Sequence, residues 1–322
     1  MSYEVTITDV LKAAKVLQGK ARHTPLEYSP YLSEITGGEI WLKLENQQLT
    51  GSFKLRGALN KMLTLPPEQR ANGVITCSSG NHAQAMALAA KMLKVKTVIY
   101  VPGQCPQFKQ EAIRIRGGEY VDLRVFGTYY DDAEPECMRA AKAENMTFVS
   151  AFDDPAVSAG QGTLGLEMLL DEPELNTLIC PISGAGLIHG VTAAAKALNP
   201  KLKAWGVCAA LNPAWPEALK QGKVVPVNEE VSLADGLGGG ACQNHFEFIR
   251  DNLEGVLTVT EKEIADGIRF MFEKHHQIIE GAGVVAVAAV LAGKADVRGK
   301  KAGIVISGGN IDEEKLLAAI NG

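Results

Sequence analysis

The 322-residue chain carries a formal charge of −5 and is 46% hydrophobic, enough to bury a large core and to divide into two lobes. A mildly acidic chain without a Lys/Arg block argues against nucleic acid as a partner, and no apolar run reaches the roughly eighteen residues that a membrane span needs. The opening stretch MSYEVTITDVLKAAKVLQGK does not resemble a signal peptide, so the cytoplasm is the expected address.

In chain order, short apolar β-branched runs alternate with longer helical patterns. GVITC (73–77) precedes NHAQAMALAAKMLK (81–94), and TVIYV (97–101) precedes PQFKQEAIRIRG (106–117). TLICPI (177–182) precedes LIHGVTAAAKAL (187–198), AWGVCA (204–209) precedes PAWPEALKQG (213–222), and AGIVIS (302–307) comes near the end. Strands buried on both faces read this way, so the class is α/β, with two lobes, each a largely parallel twisted sheet covered by helices. The Pro- and Gly-bearing stretch SAFDDPAVSAGQGT (150–163) reads as a crossing between two blocks. The expected division is a small domain of residues 52–149 and a large one of residues 1–51 and 150–322, with the ligand site in the cleft between them. The run EGAGVVAVAAVLAG (280–293) is apolar all round and too short for a membrane, which predicts a buried core helix. Six cysteines, Cys77, Cys105, Cys137, Cys180, Cys208 and Cys242, lie apart without a C-x-x-C pair, and they read as reduced thiols that behave as small hydrophobes.

Four Gly- or Ser-rich turns follow a predicted strand or open a predicted helix: TGSFK (50–54), SSGNH (78–82), SGAGLIHG (183–190) and SGGN (307–310). At the carboxyl ends of parallel strands such turns bring bare N–H groups to a ligand. SGAGLIHG carries the strongest anion signal, and a phosphate fits it. A dinucleotide turn is the competing reading, but the third glycine falls one place late, at Gly190, and AWGVCAA ends without the acidic residue that would hold a ribose. Lys54 sits on the first turn of a helix, where the macrodipole disfavours a positive charge. Inside a cleft such a lysine has a lowered pKa, and a neutral amine is what condensation with an aldehyde requires. On its own, a single lysine in S-x-K is far more often a solvated surface residue.

GSFKLRGA, followed by SSGNHAQA, a small-residue phosphate loop, EGAG (280–283) and SGGN, resembles the fold-type II pyridoxal-phosphate enzymes. The pattern is most like the threonine/serine dehydratase and serine racemase group. The likeness runs from about Val5 to Ile320 and implies a tryptophan synthase beta-like fold with pyridoxal 5'-phosphate as cofactor. It further implies that Lys54 bonds the cofactor aldehyde, that Phe53 packs beside the ring and that Asn81 hydrogen-bonds the phenolic oxygen. Ser78, Ser79, Gly80, Asn81 and His82 would hold the substrate carboxylate. Ser183, Gly184, Ala185, Gly186 and Leu187 would cradle the phosphate, Ser307 would face the pyridine nitrogen, and Glu280 would sit near the ring. A neutral hydroxyl at the ring nitrogen cannot insist on a proton there, which suits chemistry that expels a leaving group quickly. The expected reaction is β-elimination, with the freed Lys54 amine taking the α-proton and a 2-oxo acid and ammonia as products. L-Threonine or L-serine is the first substrate expected, and a homodimer is the expected assembly. The chain stops soon after SGGNID, which fits the shorter catabolic type rather than biosynthetic dehydratases with a regulatory extension.

Several positions depart from the group's pattern. The usual glycine run in the phosphate loop is Ser183-Gly184-Ala185-Gly186, which makes positive φ costlier at Ser183 and Ala185. Cys208, Asn212 and Ala214 stand where racemase-like members hold a divalent cation, so no metal is expected, although Glu217 or Asp235 offers oxygen in another geometry. Ser79 matches the serine that serves racemases as acid/base on the face opposite the lysine, which makes racemisation a second reading; a turn-forming hydroxyl is the plain one. The stretch ADGLGGGACQNHF (234–246) differs from ordinary threonine dehydratases and opens a third reading, with 3-hydroxyaspartate or a hydroxyectoine-pathway intermediate as substrate. A pyridoxal-phosphate-binding protein without turnover is the fourth. His275 and His276 read as a helix end that favours cationic side chains, and His189 as facing either the phosphate or solvent.

Overall fold

The computed structural model describes residues 3–228 and 230–322. Its strands in chain order are β1 (Leu26–Tyr28), β2 (Glu39–Leu44), β3 (Val74–Cys77), β4 (Thr97–Val101), β5 (Val121–Val125), β6 (Thr147–Phe148), β7 (Thr177–Pro181), β8 (Lys203–Ala209), β9 (Gly255–Val259) and β10 (Lys301–Ile306). They form a six-stranded sheet in the order β1-β2-β10-β7-β8-β9 and a four-stranded sheet in the order β5-β4-β3-β6. All pairings are parallel except that of β1 with β2. The five apolar runs expected as strands are β3, β4, β7, β8 and β10. Every residue of β3, β4 and β7 is buried, as β-branched strands covered on both faces require. The short edge strand β1, with two exposed residues, has no such run and was not visible as one.

The helix Gly281–Leu291 is buried from Gly281 to Val290 and fills the core against the six-stranded sheet. Helix Lys54–Thr64 begins at the expected lysine. Asn81–Leu93 follows β3, and Gly186–Leu198 follows β7. In the large sheet, the connection from β7 through Gly186–Leu198 runs to β8 on one side while β10 lies on the other. The turns after β7 and β10 therefore diverge and leave a crevice at their carboxyl ends, the usual ligand position in such sheets.

Residues 150–163 do carry the chain from β6 in the four-stranded sheet towards β7 in the six-stranded one, and most of them form the start of the helix Pro155–Asp171. Asp154 caps this helix by accepting from the N–H groups of Ala156 and Val157, and Pro155 occupies its first turn, where a missing N–H costs nothing. Its small residues serve close packing rather than a turn. A Cβ on Gly190 of the neighbouring helix would lie 2.0 Å from the Ser158 carbonyl, so only glycine lets these two backbones meet.

Candidate active site

Lys54 lies where the helix Lys54–Thr64 leaves the Thr50–Phe53 turn, and buried charges hold that turn from behind. Two residues on, Arg56 is 1% exposed and pairs with Glu45, itself 0% exposed, at 2.8 Å and with Glu167 at 2.6 Å. Lys43 reaches Glu167 at 2.7 Å from the other side. The guanidinium donates through several nitrogens at once, the bidentate arrangement that makes a buried pair tolerable. Sequence reading missed Arg56, whose partners Thr163 and Glu167 are 107 and 111 residues away.

In front of this anchor, all the residues expected at the site line one cavity of about 430 Å³: Phe53, Lys54, Ser78, Ser79, Gly80, Asn81, His82, Ser183, Gly184, Ala185, Gly186, Leu187, Glu280 and Ser307. The Lys54 amine donates to the Ala151 carbonyl at 2.8 Å and lies 5.0 Å from the centre of the Phe53 ring. Burial pulls its pKa down to about 8, while the Glu280 carboxylate pulls the other way. Glu280 is 7% exposed, and burial pushes it up to about 7 against the hydrogen bond it accepts from Asn81. His82 is driven down to about 3 by burial and by the nearby Lys54 charge. Its Nε2 donates to the Val149 carbonyl at 3.3 Å.

Two helix N-termini face the cavity. Asn81–Leu93 opens in the SSGNH turn, where the Gly80 N–H donates to Ser78 Oγ at 3.3 Å. Gly186–Leu198 opens in SGAG, with Ala185 as its N-cap. First-turn N–H groups have no partner inside their own helix and attract anions. Ala185 takes φ +72, the left-handed region, at a methyl's cost, whereas Ser183 is not among the residues with positive φ. Gly184 is held to glycine from outside, since its Cβ would lie 2.3 Å from the Phe152 ring. The Ser183 hydroxyl donates to the Gly238 carbonyl at 3.2 Å, which ties the phosphate-type loop to the triple-glycine stretch, and the Trp215 indole N–H donates to the Ser183 carbonyl. Ser307 Oγ lies 3.5 Å from the Ala282 carbonyl.

Lys109, Tyr130, Phe152, Asp235 and Asn310 also line the cavity without having been assigned to it. Asn310 was within sight in SGGN and Asp235 in ADGLGGGACQNHF; the others carry no local motif. His189 corrects the expectation: it is 0% exposed, stacks on Phe248 at 3.7 Å and donates from Nδ1 to His245 Nδ1 at 2.7 Å. His245 Nε2 donates to the Phe152 carbonyl at 3.2 Å, which leaves its Nδ1 bare to accept. Of the residues at the racemase-type cation position, Cys208 is buried within β8, and Asn212 uses both ends of its amide on the Glu230 backbone, at 3.1 and 2.9 Å. Ala214 and Glu217 lie in the helix Ala214–Gln221, and Asp235 pairs with Lys315 at 2.7 Å. Asp153, Cys242 and His245 form an unexpected group whose ligand-type atoms lie within 4.8 Å of one another. The cysteines are free, with five buried and Cys242 partly so. His275 ends its helix as expected and meets Ser29 Oγ at 3.0 Å through Nε2.

Residues 17–308 match the family model described as pyridoxal-phosphate dependent enzyme. The chain belongs to this family. It is 42% identical over 318 residues to the L-threonine ammonia-lyase of Thermotoga maritima, covering 98% of this chain and 78% of that protein. To the L-threo-3-hydroxyaspartate ammonia-lyase of a Pseudomonas species it is 35% identical, covering 98% of both chains. Among solved structures, that of maize serine racemase superposes with a TM-score of 0.93 at 30% identity, over 98% of this chain and 97% of that one. The cavity fits the cofactor the family uses: an amine with a lowered pKa suits an aldehyde, and a helix N-terminus behind side-chain-free Gly184 and Gly186 suits a phosphate. No helix is long and apolar enough to cross a membrane among the described residues.

Proposed function

We propose that this chain is an ammonia-lyase that removes the β-hydroxyl of a small neutral hydroxy amino acid, L-threonine or L-serine, to give a 2-oxo acid and ammonia. The observation that carries it is the buried Lys54 amine, its pKa lowered to about 8, in a cavity between two helix N-termini. Bound pyridoxal phosphate supplies the electron sink that acidifies the substrate's α-C–H bond. Lys54 Nζ would then take the α-proton, for which a pKa of about 8 is well matched to neutral pH. The C–H electron pair becomes the Cα–Cβ double bond, the β-hydroxyl takes up a proton and leaves as water, and hydrolysis of the released enamine gives the 2-oxo acid and ammonia. The N–H groups and hydroxyls of Ser78 to His82 orient the substrate carboxylate, and Ser183 to Leu187 receive the cofactor phosphate. Phe53 would pack against the ring, Asn81 would donate to the phenolic oxygen, Ser307 would face the ring nitrogen, and Glu280 would set the polarity of that rim.

Charge favours a neutral substrate over 3-hydroxyaspartate. The cavity's lysines are Lys54, which the cofactor engages, and Lys109, which pairs with Asp312 at 3.5 Å. Asp235, paired with Lys315, and the buried Glu280 line the same cavity, so among the described lining residues a second substrate carboxylate meets no unpaired cation beyond Lys54. The triple-glycine stretch lines the cavity with backbone alone and leaves room for a larger side chain, which keeps the hydroxyectoine-type alternative in the test. Ser79 on the cavity wall, with the likeness to maize serine racemase, supports racemisation as a side activity. We also propose a cytoplasmic homodimer, with residues 52–149 forming a small domain and residues 1–51 and 150–322 the large one.

Steady-state rates on threonine, serine, 3-hydroxyaspartate and longer hydroxy amino acids, read as 2-oxo acid with chiral analysis of the remaining amino acid, test this reading. Threonine or serine should turn over fastest, and Lys54→Ala should lower the rate by on the order of 10²–10⁴ or more. Fastest turnover of 3-hydroxyaspartate would overturn the charge argument, and a protein that binds the cofactor without releasing ammonia from any of them would overturn the activity.

A further inference from the structure

Asn310 closes the last of the four small-residue turns, SGGN, and its side chain reaches into the other turns. Its Nδ2 donates to the Thr50 carbonyl at 2.9 Å and to Asn81 Oδ1 at 2.7 Å. Its backbone N–H donates to the Glu280 carboxylate. Asn81 Nδ2 in turn donates to Glu280 Oε1 at 2.6 Å. The direction of this chain of bonds is fixed from one end, because a backbone carbonyl only accepts and Thr50 therefore demands the NH₂ end of Asn310. With that end committed, Asn81 must turn its oxygen toward Asn310 and its nitrogen toward Glu280. The opposite orientation would set NH₂ against NH₂ on one side and oxygen against carboxylate on the other.

The backbone is shaped to admit this contact. A Cβ at Gly51, where φ is +71, would lie 2.6 Å from Asn310 Oδ1. Ahead of Asn310, the Gly309 N–H donates to the Gly51 carbonyl at 2.9 Å, and Ser52 and Gly308 form an antiparallel bridge. The turn that carries Lys54 and the turn that carries Asn310 are thus locked to each other.

We propose that Asn310 is a positioning residue that dictates which atom Asn81 presents to the cofactor, keeping an N–H rather than an oxygen toward its phenolic oxygen. This rests on the reading of Asn81 as the phenolic-oxygen contact. An N–H there favours the ionised oxygen, whereas a carbonyl in its place would favour the oxygen carrying its own proton. The two states differ in colour, the ionised one absorbing in the visible and the protonated one in the near ultraviolet.

The test uses the loaded protein without substrate. In Asn310→Asp a carboxylate replaces the donor, so Asn81 turns over to donate to it, and the ratio of visible to near-ultraviolet absorbance should fall about tenfold, the scale of one hydrogen bond to a charged oxygen. Asn310→Ser keeps a donor hydroxyl and should stay near the wild-type ratio. In an Asn81→Ala background the ratio is already low, and adding Asn310→Asp should change it no further. Should Asn310→Asp fold poorly, Asn310→Ala read against Asn81→Ala and the double variant gives the same comparison. A wild-type ratio in Asn310→Asp, or an equal fall whether or not Asn81 is present, overturns the inference. Failure of the underlying reading looks different: Asn81→Ala alone then keeps the wild-type ratio, or the wild type has no visible band.

Discussion

The two sides of Lys54 handle buried polarity in opposite ways. Behind it, Arg56, Lys43, Glu45 and Glu167 form mutual ion pairs, so each of these groups removed from water has a partner. In front, the Asn81 and Asn310 amides are neutral and burial holds His82, His189 and His245 down at about 3, 3 and 4, so charge at the cavity is confined to Lys54, Glu280 and the paired Lys109 and Asp235. A saturated ionic cluster has no capacity left for a ligand and serves as a fixed mount. A neutral cluster with N–H groups to spare can meet a charged guest without a competing ion in place.

Acid attacks the neutral side first. An unfolded histidine, near 6.5, takes up a proton that the folded one refuses, so the unfolded chain binds more protons and stability falls as pH drops through about 6.5 toward about 4. Between pH 7 and 5 the loss is roughly 2 kcal/mol for each of the three histidines. Urea unfolding at the two pH values should show it, and His82→Gln should remove about a third. An unchanged midpoint between pH 7 and 5 would mean that these rings are not held neutral.

The charged side breaks by a different route. Arg56→Met leaves Glu45 and Glu167 buried with fewer partners and should cost about 3–5 kcal/mol, together with loss of cofactor capture as the Lys54 turn loosens. Equal stability of Arg56→Met and wild type would show that the cluster is not a mount. Between the two sides stands Glu280, the one charge that raises the Lys54 pKa. Capture of pyridoxal phosphate by the cofactor-free protein needs the neutral amine, so its rate should rise with pH to a plateau above about 8. In Glu280→Gln that curve should shift to lower pH by about one unit or less, and a shift to higher pH would contradict the geometry. The smallest effect is expected for Ser183→Gly, which deletes one hydrogen bond to Gly238. A change of roughly 1 kcal/mol or less should appear as a modest rise in substrate KM with kcat nearly kept.

How much of this was legible in the sequence follows the same division. The strands β3, β4, β7, β8 and β10 announce themselves because burial on both faces demands uninterrupted β-branched residues. The four turns show because close approach to a ligand demands small residues, and together with EGAG they brought every expected site residue to one cavity. What stayed hidden was non-local. Arg56 looks like an ordinary helix residue until Glu167 arrives from 111 positions away, and Asn310 meets Asn81 across 229. That most of the stretch 150–163 is helical was hidden for a related reason. Its proline and glycines carry turn chemistry in isolation, yet here the proline starts a helix and the glycines let neighbouring backbones touch. His189 gave no sign of its partner, since His245 follows only after an intervening strand and helix.

The left-handed Ala185 has a consequence for how the phosphate loop receives its guest. A run of glycines would sample many shapes and lose that freedom each time a ligand is gripped. One methyl group forced into mirror-image geometry costs the fold about 1–2 kcal/mol, but it narrows the range of shapes the loop can visit. Ala185→Gly should therefore yield a sturdier protein with a looser hold on its phosphate.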